Sequence, residues 1–582
     1  MSGRLWTRLT AGGITASALV AATVTMAAGL DVDPEVIAAE RRRVEVIRTA
    51  SAAAVAIFAG DSGGGSGVLV TPDGYAVTNF HVVQPAGVAM TCGLADGSLC
   101  DAVLVGLDPT GDVALVKLLG RNDFPCATLA DSDAVEVGDW CFAAGNPLLL
   151  ATDLVPSISA GIVSGTHRYQ EPAGTILEYT DCIQVDAAIN PGNSGGGLFD
   201  AAGRLIGING RASFEKRGRV NVGAGYAISA NQVRNFLGCL RAGRLCDHAT
   251  LGATVATAAD GRVVVSDILQ SSDAWRRGLQ YDDEIVALAG RPIRTVNAFK
   301  SVLGTLPAGW QVPLVYRRDG RREEILVRLA GVHTAAELAK LAAGADEQEP
   351  AEGQGGRRPP SRPPSRQVPE VVRGLYEARS GFANYHFAIV ERDRVAQAIA
   401  TSAAGLDQGP WVLAGRLAEG GEFRIEISDS QGLIDLPTGT SVLDANGSLD
   451  TNPVPPGSGG MLAALMLWRR LVTEGPAALG GTTYQGTAPR DPSQLDPAGR
   501  DLVDVLASAV AGVEVRFSVD ASGHVCGIDL WTSPEADPCE IRILAREAGD
   551  AGGALQRLEV HRGPDPFGTF LVETLEPAGV LP

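Results

Sequence analysis

Three short segments of the chain carry side chains suited to acyl transfer: Thr78-Asn79-Phe80-His81-Val82-Val83, Gly111-Asp112-Val113-Ala114-Leu115-Val116 and Gly192-Asn193-Ser194-Gly195-Gly196-Gly197. A serine hydroxyl is a poor nucleophile near neutral pH, so a neighbouring imidazole must take its proton during attack. The imidazole needs a buried carboxylate that fixes its tautomer and stabilises its positive charge once it is protonated. Glycines around a serine let the backbone turn sharply, so that the N–H groups of Gly192 and Ser194 can point at a developing oxyanion. Each segment alone is an ordinary loop or strand end. In the order His81, Asp112, Ser194, within one run of short apolar strands, they read together as a catalytic triad.

These residues need a scaffold. From Val55 to about Ile228 short apolar runs are broken by Gly, Asp and Asn, as in Gly67-Val68-Leu69-Val70 and Leu205-Ile206-Gly207-Ile208. Many short strands at close spacing indicate an antiparallel all-β barrel or sandwich. Before it, Pro34 with Val36, Ile37, Val44 and Ile47 at helical spacing predicts a helix within residues 31–54. After it, residues 249–331 mix strands with one or two helices. Residues 345–369 are a charged, Pro-rich linker with no core-forming residues. Residues 370–582 read as an α+β region, with alternating strands such as Val513-Glu514-Val515-Arg516-Phe517 and one apolar helix from Met461 to Val472.

Bulk properties narrow the function classes. The 582 residues are too many for one core and suit roughly three or four domains. A formal net charge of −19 leaves no domain-wide basic field to hold phosphates, so nucleic acid is not an expected partner. Residues 1–30 begin with Arg4 and Arg8 and continue uncharged and rich in small residues, as an export signal or a retained N-terminal anchor would. Nine cysteines fall partly into near pairs: Cys92 with Cys100, Cys239 with Cys246, and Cys526 with Cys539. Export permits bridges, and unpaired buried cysteines are the alternative for each pair. No C-x-x-C or H-E-x-x-H spacing occurs, so no metal site and no cofactor is expected.

Residues 55–230 resemble the HtrA/Deg family of trypsin-like serine proteases. The likeness rests on TNFHVV, DPTGDVALVKL, GDWCFAAGNP, SISAGIVSG and QVDAAINPGNSGGGLFDAAGRLIGINGRA followed by GYAIS. It implies a multidomain protein whose protease domain, residues 55–240, is a chymotrypsin-like double β-barrel with the triad at the barrel interface. It also implies an exported, periplasmic or envelope location, homotrimers, and endoproteolysis of unfolded or damaged proteins. A chaperone-like or peptide-binding scaffold with little activity, or a protease for one envelope substrate, are the alternatives. Asn193 stands where trypsin-like zymogens have Asp, so activation by N-terminal cleavage is not expected. Phe80 replaces a smaller polar residue and should pack against the barrel, while the stretch from Ala59 to Ser66 reads as a short glycine-rich connection. The fold places the floor of the primary specificity pocket at Ala188 and Ile189, uncharged residues that suit a small or medium aliphatic side chain.

Residues 249–331 resemble a PDZ domain, on Ser272-Asp273-Ala274-Trp275-Arg276-Arg277-Gly278-Leu279, Asp283-Glu284-Ile285-Val286 and Gly290-Arg291-Pro292-Ile293. A PDZ groove takes a peptide C-terminus as an added strand, and Leu251, Gly252 and Ala253 would form the carboxylate loop. Asp282 falls where the family often has Gly. Residues 370–582 suggest a curved sheet over a helix only by analogy with lipoprotein carriers. Asn446-Gly447-Ser448 is a sequon by pattern and reads equally as a turn.

Overall fold

The computed structural model describes residues 33–59, 64–146, 153–170, 177–214, 221–343, 368–403, 405–406, 409–445, 447–451, 453–495, 501–545 and 555–577. The expected signal or anchor, nearly all of the 345–369 linker and Asn446 lie outside these residues. No helix among the described residues is long and apolar enough to cross a membrane. Packing divides the chain into two compact units at Thr49. The N-terminal helix runs Pro34–Ser51, with Glu35 in its first turn and Arg48 in its last, which complements the helix dipole.

The second unit opens with β1 (Ala54–Phe58), β2 (Gly64–Leu69), β3 (Tyr75–Thr78), β4 (Ala89–Leu94), β5 (Leu99–Asp108) and β6 (Val113–Leu118). These close into an antiparallel barrel in the order β1-β2-β3-β6-β5-β4. A second closed barrel follows from β7 (Trp140–Gly145), β8 (Ser157–Gln170), β9 (Tyr179–Val185), β10 (Gly197–Asp200), β11 (Leu205–Phe214) and β12 (Asn221–Ser229), in the order β10-β11-β12-β9-β8-β7. Strands such as β6, with Val113, Ala114, Leu115 and Val116 all fully buried, are apolar on both faces, because one face fills the barrel and the other is covered by neighbouring elements such as the helix Ala230–Arg241. This is the chymotrypsin-like pair of six-stranded barrels expected from the resemblance. The stretch after Ala59 proves shorter than it read, because β2 already begins at Gly64.

A helix at Ala230–Arg241 leads out of the second barrel, and Cys239 near its end is bridged to Cys246. Cys92 and Cys100 face each other across β4 and β5 without a bond. Cys526 and Cys539 do not face each other, since Leu530 is the partner of Cys539. The PDZ region forms a sheet in the order β14 (Ala253–Thr257), β15 (Val263–Ile268), β16 (Glu284–Leu288), β18 (Gln311–Arg318) and β19 (Arg321–Arg328), with short strands β13 (Ala249–Thr250), β17 (Arg291–Pro292) and β20 (Ala330–Gly331) beside it. Asp282, in the place where the family often has Gly, sits in the left-handed region at φ 64°.

Beyond the linker lies one eleven-stranded antiparallel sheet. Residues 411–444 form a four-stranded meander and residues 483–577 a seven-stranded one, and the last strand pairs with the first. The helix Met461–Glu474 joins the two meanders and is buried along most of its length. Its Leu462, Leu465 and Trp468 share one core with Trp411, Phe517 and Phe570 of the sheet. The linker marks no break in packing: Trp310 of the PDZ region donates to the Thr487 carbonyl at 2.7 Å, and Arg328 pairs with Asp529 and Glu540, each at 3.0 Å.

Candidate active site

The end of β3 and the start of β6 are stitched together before any side chain is placed. Asn79 Nδ2 donates to the Asp112 carbonyl at 2.9 Å, and the Phe80 N–H donates to the same oxygen at 3.2 Å. Phe80 is buried, as its size requires, and opens a single helical turn, Phe80–Val83, which carries His81. Asp112 is fully buried and sits in the left-handed region at φ 58°. That conformation turns its carboxylate back onto the helical turn. Oδ1 accepts from the His81 backbone N–H at 3.1 Å, and His81 Nδ1 lies 3.0 and 2.8 Å from Oδ1 and Oδ2. Tyr179, at the start of β9, donates its hydroxyl to Oδ2. Motif reading missed Tyr179, because a tyrosine at a strand start carries no signal of its own.

Ser194 comes from the second barrel. The turn before it closes with Asn193 N–H donating to the Asn190 carbonyl at 2.9 Å, with Gly192 at φ 101°. Ser66 on β2 holds this turn to the first barrel: its Oγ donates to the Gly192 carbonyl at 2.6 Å, and its N–H donates to the Ser194 carbonyl at 2.9 Å. Thr78, at the end of β3, donates to the Ser66 carbonyl at 2.6 Å. The strand that leads to His81 and the turn that carries Ser194 are therefore tied to the same residue. Gly195 is needed here: a Cβ on it would come within 2.1 Å of the Ser66 carbonyl and 2.3 Å of Thr78 Oγ1. Ser194 Oγ donates to the Gly210 carbonyl at 3.3 Å. With Nδ1 anchored to a buried carboxylate, the imidazole keeps Nε2 for proton exchange.

Residues 65–208 match the trypsin-like peptidase domain, and residues 249–329 match the PDZ domain. The periplasmic serine endoprotease DegP of Escherichia coli (strain K12) is 38% identical over 278 residues, which span 46% of this chain and 56% of DegP. The protease and PDZ regions belong to the HtrA/Deg family of serine proteases. A probable DegP-like periplasmic serine endoprotease of Chlamydia trachomatis is 34% identical over 281 residues, spanning 46% of this chain and 54% of that protein. The chain thus spans about half the length of the curated relatives it matches. Among solved structures, the HtrA-type protease AlgW with a tripeptide is 30% identical, covers 50% of this chain and 98% of its own, and superposes with a TM-score of 0.41.

The other expected positions of these HtrA/Deg regions fall around the same turn and on the PDZ edge. Ala188 is exposed, and its carbonyl accepts from Asn193 Nδ2 at 3.4 Å. Ile189 is buried in the second-barrel core, against Gly225 of β12. In the PDZ region, Leu251 is buried and Gly252 takes φ 69°. Ala253 opens β14, whose one strand partner among the described residues is β15, so that its other edge carries no strand there. The helix Val296–Gly304 lies beyond that edge and also packs on β8 and β9 of the protease.

A charged contact further joins the two regions. Asp181 Oδ1 accepts from Arg291 of the PDZ region at 2.7 Å and lies 2.8 Å from His167 Nδ1. Asp133 is close to both His167 and Asp181, and Arg291 supplies the cation of this group. The hydrogen bond to Asp181 raises the His167 pKa above its ordinary value. Burial opposes ionisation of Asp181, yet His167 and Arg291 together hold its pKa below the usual carboxylate value.

Proposed function

We propose that the chain is an exported serine endopeptidase that hydrolyses peptide bonds in unfolded or damaged proteins, with His81, Asp112 and Ser194 as its triad. The observation that carries this reading is the fully buried Asp112 carboxylate, bonded to both the backbone and Nδ1 of His81. In this reading Ser194 Oγ attacks the scissile carbonyl carbon while His81 Nε2 takes its proton, and Asp112 stabilises the imidazolium that forms. The negative oxygen of the tetrahedral intermediate accepts from the N–H groups of Gly192 and Ser194. His81 then protonates the leaving amine, and a water molecule cleaves the acyl-enzyme by the same route. Ala188 and Ile189 form the base of the primary pocket and favour a small or medium aliphatic side chain before the cut. An unfolded chain would also be held by its C-terminal residues along that edge of β14, with its carboxylate at Leu251, Gly252 and Ala253. The periplasm or cell envelope is the proposed location, and a homotrimer the proposed assembly.

The test is cleavage of reduced casein by residues 31–582 beside a Ser194→Ala variant. Removing the nucleophile should abolish turnover, by about 10⁶-fold on the subtilisin precedent. Cuts should follow Val, Ala and similar residues, and they should be absent after Arg and Lys. A folded wild-type chain that leaves casein intact, even with C-terminal peptides added, would overturn the reading.

A further inference from the structure

His248 stands where the protease gives way to the PDZ region, just after the bridged Cys246 and before β13. It is 3% exposed. Its carbonyl accepts from the Val332 N–H at 3.1 Å, its backbone bridges to Pro307, and its ring lies 4.6 Å from that of Phe236. The imidazole points back into the protease, where Nε2 lies 3.0 and 2.9 Å from the two oxygens of the fully buried Asp108. Among the described residues its Nδ1 has no hydrogen-bond partner, so Asp108 is the hydrogen-bond anchor of the ring.

Asp108 spends its other contact on the backbone. Its Oδ1 accepts from the Gly111 N–H at 2.8 Å, and Gly111 directly precedes Asp112. The three groups are in close contact: a Cβ on Gly111 would meet Asp108 Oδ2 at 2.3 Å and His248 Nε2 at 2.7 Å. Asp112 needs this support. Its left-handed backbone, at φ 58°, is a conformation that side-chain-bearing residues rarely adopt, and it persists only where its surroundings fix it. Asn79 and Phe80 hold the carbonyl of Asp112, while the Asp108–Gly111 bond holds the Thr110–Gly111 peptide, one residue earlier in the same turn. A buried carboxylate such as Asp108 needs donors on both of its oxygens, and beside the Gly111 N–H it is His248 that supplies a side-chain donor.

We infer that His248 is a positioning residue: through Asp108 and Gly111 it fixes the turn that aims Asp112 at His81, and so links the protease–PDZ junction to the triad. This rests on the triad assignment made above. The test compares wild type with His248→Phe, which fills the ring's space without a donor, and with His248→Gln, which restores an N–H donor. Two readouts are taken on protein shown to be folded by circular dichroism. One is the kcat and KM for casein-derived peptides, well below the unfolding temperature. The other is the downfield Nδ1 proton resonance of His81 in histidine-labelled protein, which reports the bond to Asp112 without any turnover.

His248→Phe should lower kcat by about 10²-fold with little change in KM, the scale of an ångström-sized misplacement, and should shift or abolish the resonance. His248→Gln should recover most of both. A merely structural role would lower the melting temperature of both variants and leave kcat per folded molecule unchanged. Folded His248→Phe with wild-type kcat and an unmoved resonance overturns the inference. If that variant does not fold, His248→Leu, which also lacks a donor, takes its place, and wild-type kcat with an unmoved resonance in it overturns the inference. A wild-type chain without turnover would count against the peptidase reading, while the His81 resonance would still decide the role of His248.

Discussion

Replacing Arg328 with methionine should loosen the seam between the PDZ region and the C-terminal sheet. Arg328 reaches Asp529 and Glu540, each at 3.0 Å, from a side chain only 16% exposed. Its guanidinium also lies 5.1 Å from the ring centre of Trp531. Removing one partner of a buried ion pair costs about 3–5 kcal/mol, because the remaining charge is stranded out of water. Here neither carboxylate is left bare: Arg542 stays 2.7 Å from Asp529, and Gln311 Nε2 stays 3.2 Å from Glu540. Methionine also keeps the packing of the aliphatic stem. The loss therefore belongs at the low end, at about 3 kcal/mol. If exchange proceeds through opening of this seam, amides of Arg321–Arg328, Val525–Trp531 and Cys539–Ala545 should exchange roughly 10²-fold faster, since each 1.4 kcal/mol is about tenfold. Hydrogen exchange followed by mass spectrometry reads those strands separately. Arg317→Met is the control: its pair with Glu284 is 43% exposed on the arginine side and should contribute no more than about 1 kcal/mol. Unchanged protection in all three strands of Arg328→Met would refute the buried network as what holds the two regions together.

Tyr179→Phe removes one donor from the buried Asp112 carboxylate at a cost of about 1–3 kcal/mol, so kcat/KM should fall by roughly 10- to 100-fold; wild-type rates would refute a role for that hydroxyl. The His167–Asp181–Arg291 contact should give a pH-dependent stability. His167 has its pKa raised above 6.5, so its contribution is complete below that value and is lost as pH rises through the folded pKa. Asp181 has its pKa lowered below 3.8, so its contribution is present above that value and fades in stronger acid. Melting temperatures of wild type and His167→Gln should therefore differ most between these limits and converge at alkaline pH, and a constant offset would refute the assignment.

The catalytic candidates were legible because their chemistry is local. Gly192-Asn193-Ser194-Gly195 specifies a tight turn by itself, and the runs Tyr75–Thr78 before His81 and Val113–Leu118 after Asp112 mark the strands that flank them. The helices Pro34–Ser51 and Met461–Glu474 followed from apolar spacing, whereas the helices Ala230–Arg241 and Tyr385–Ser402 were not read from it. The linker at 345–369 was equally plain in composition, yet it misled about independence, since the regions on either side pack together through Arg328 and Trp310. The cysteines show the same limit. Cys239 and Cys246 are bridged, Cys92 and Cys100 face each other unbonded, and Cys526 and Cys539 are out of register. Spacing along the chain does not set register across a sheet.

The sequence by itself determined the residue types, their order and the strands and turns that hold them. Only the tertiary structure decided which groups complete the site: Ser66 joining the two barrels, Tyr179 on Asp112, and His248 behind Asp108. Each of these contacts spans from tens of residues to more than a hundred, and none lies in a motif. Hydrogen bonds and buried charges act over about 3 Å of space, so their partners appear only once the chain has closed into barrels and the PDZ region has docked against them.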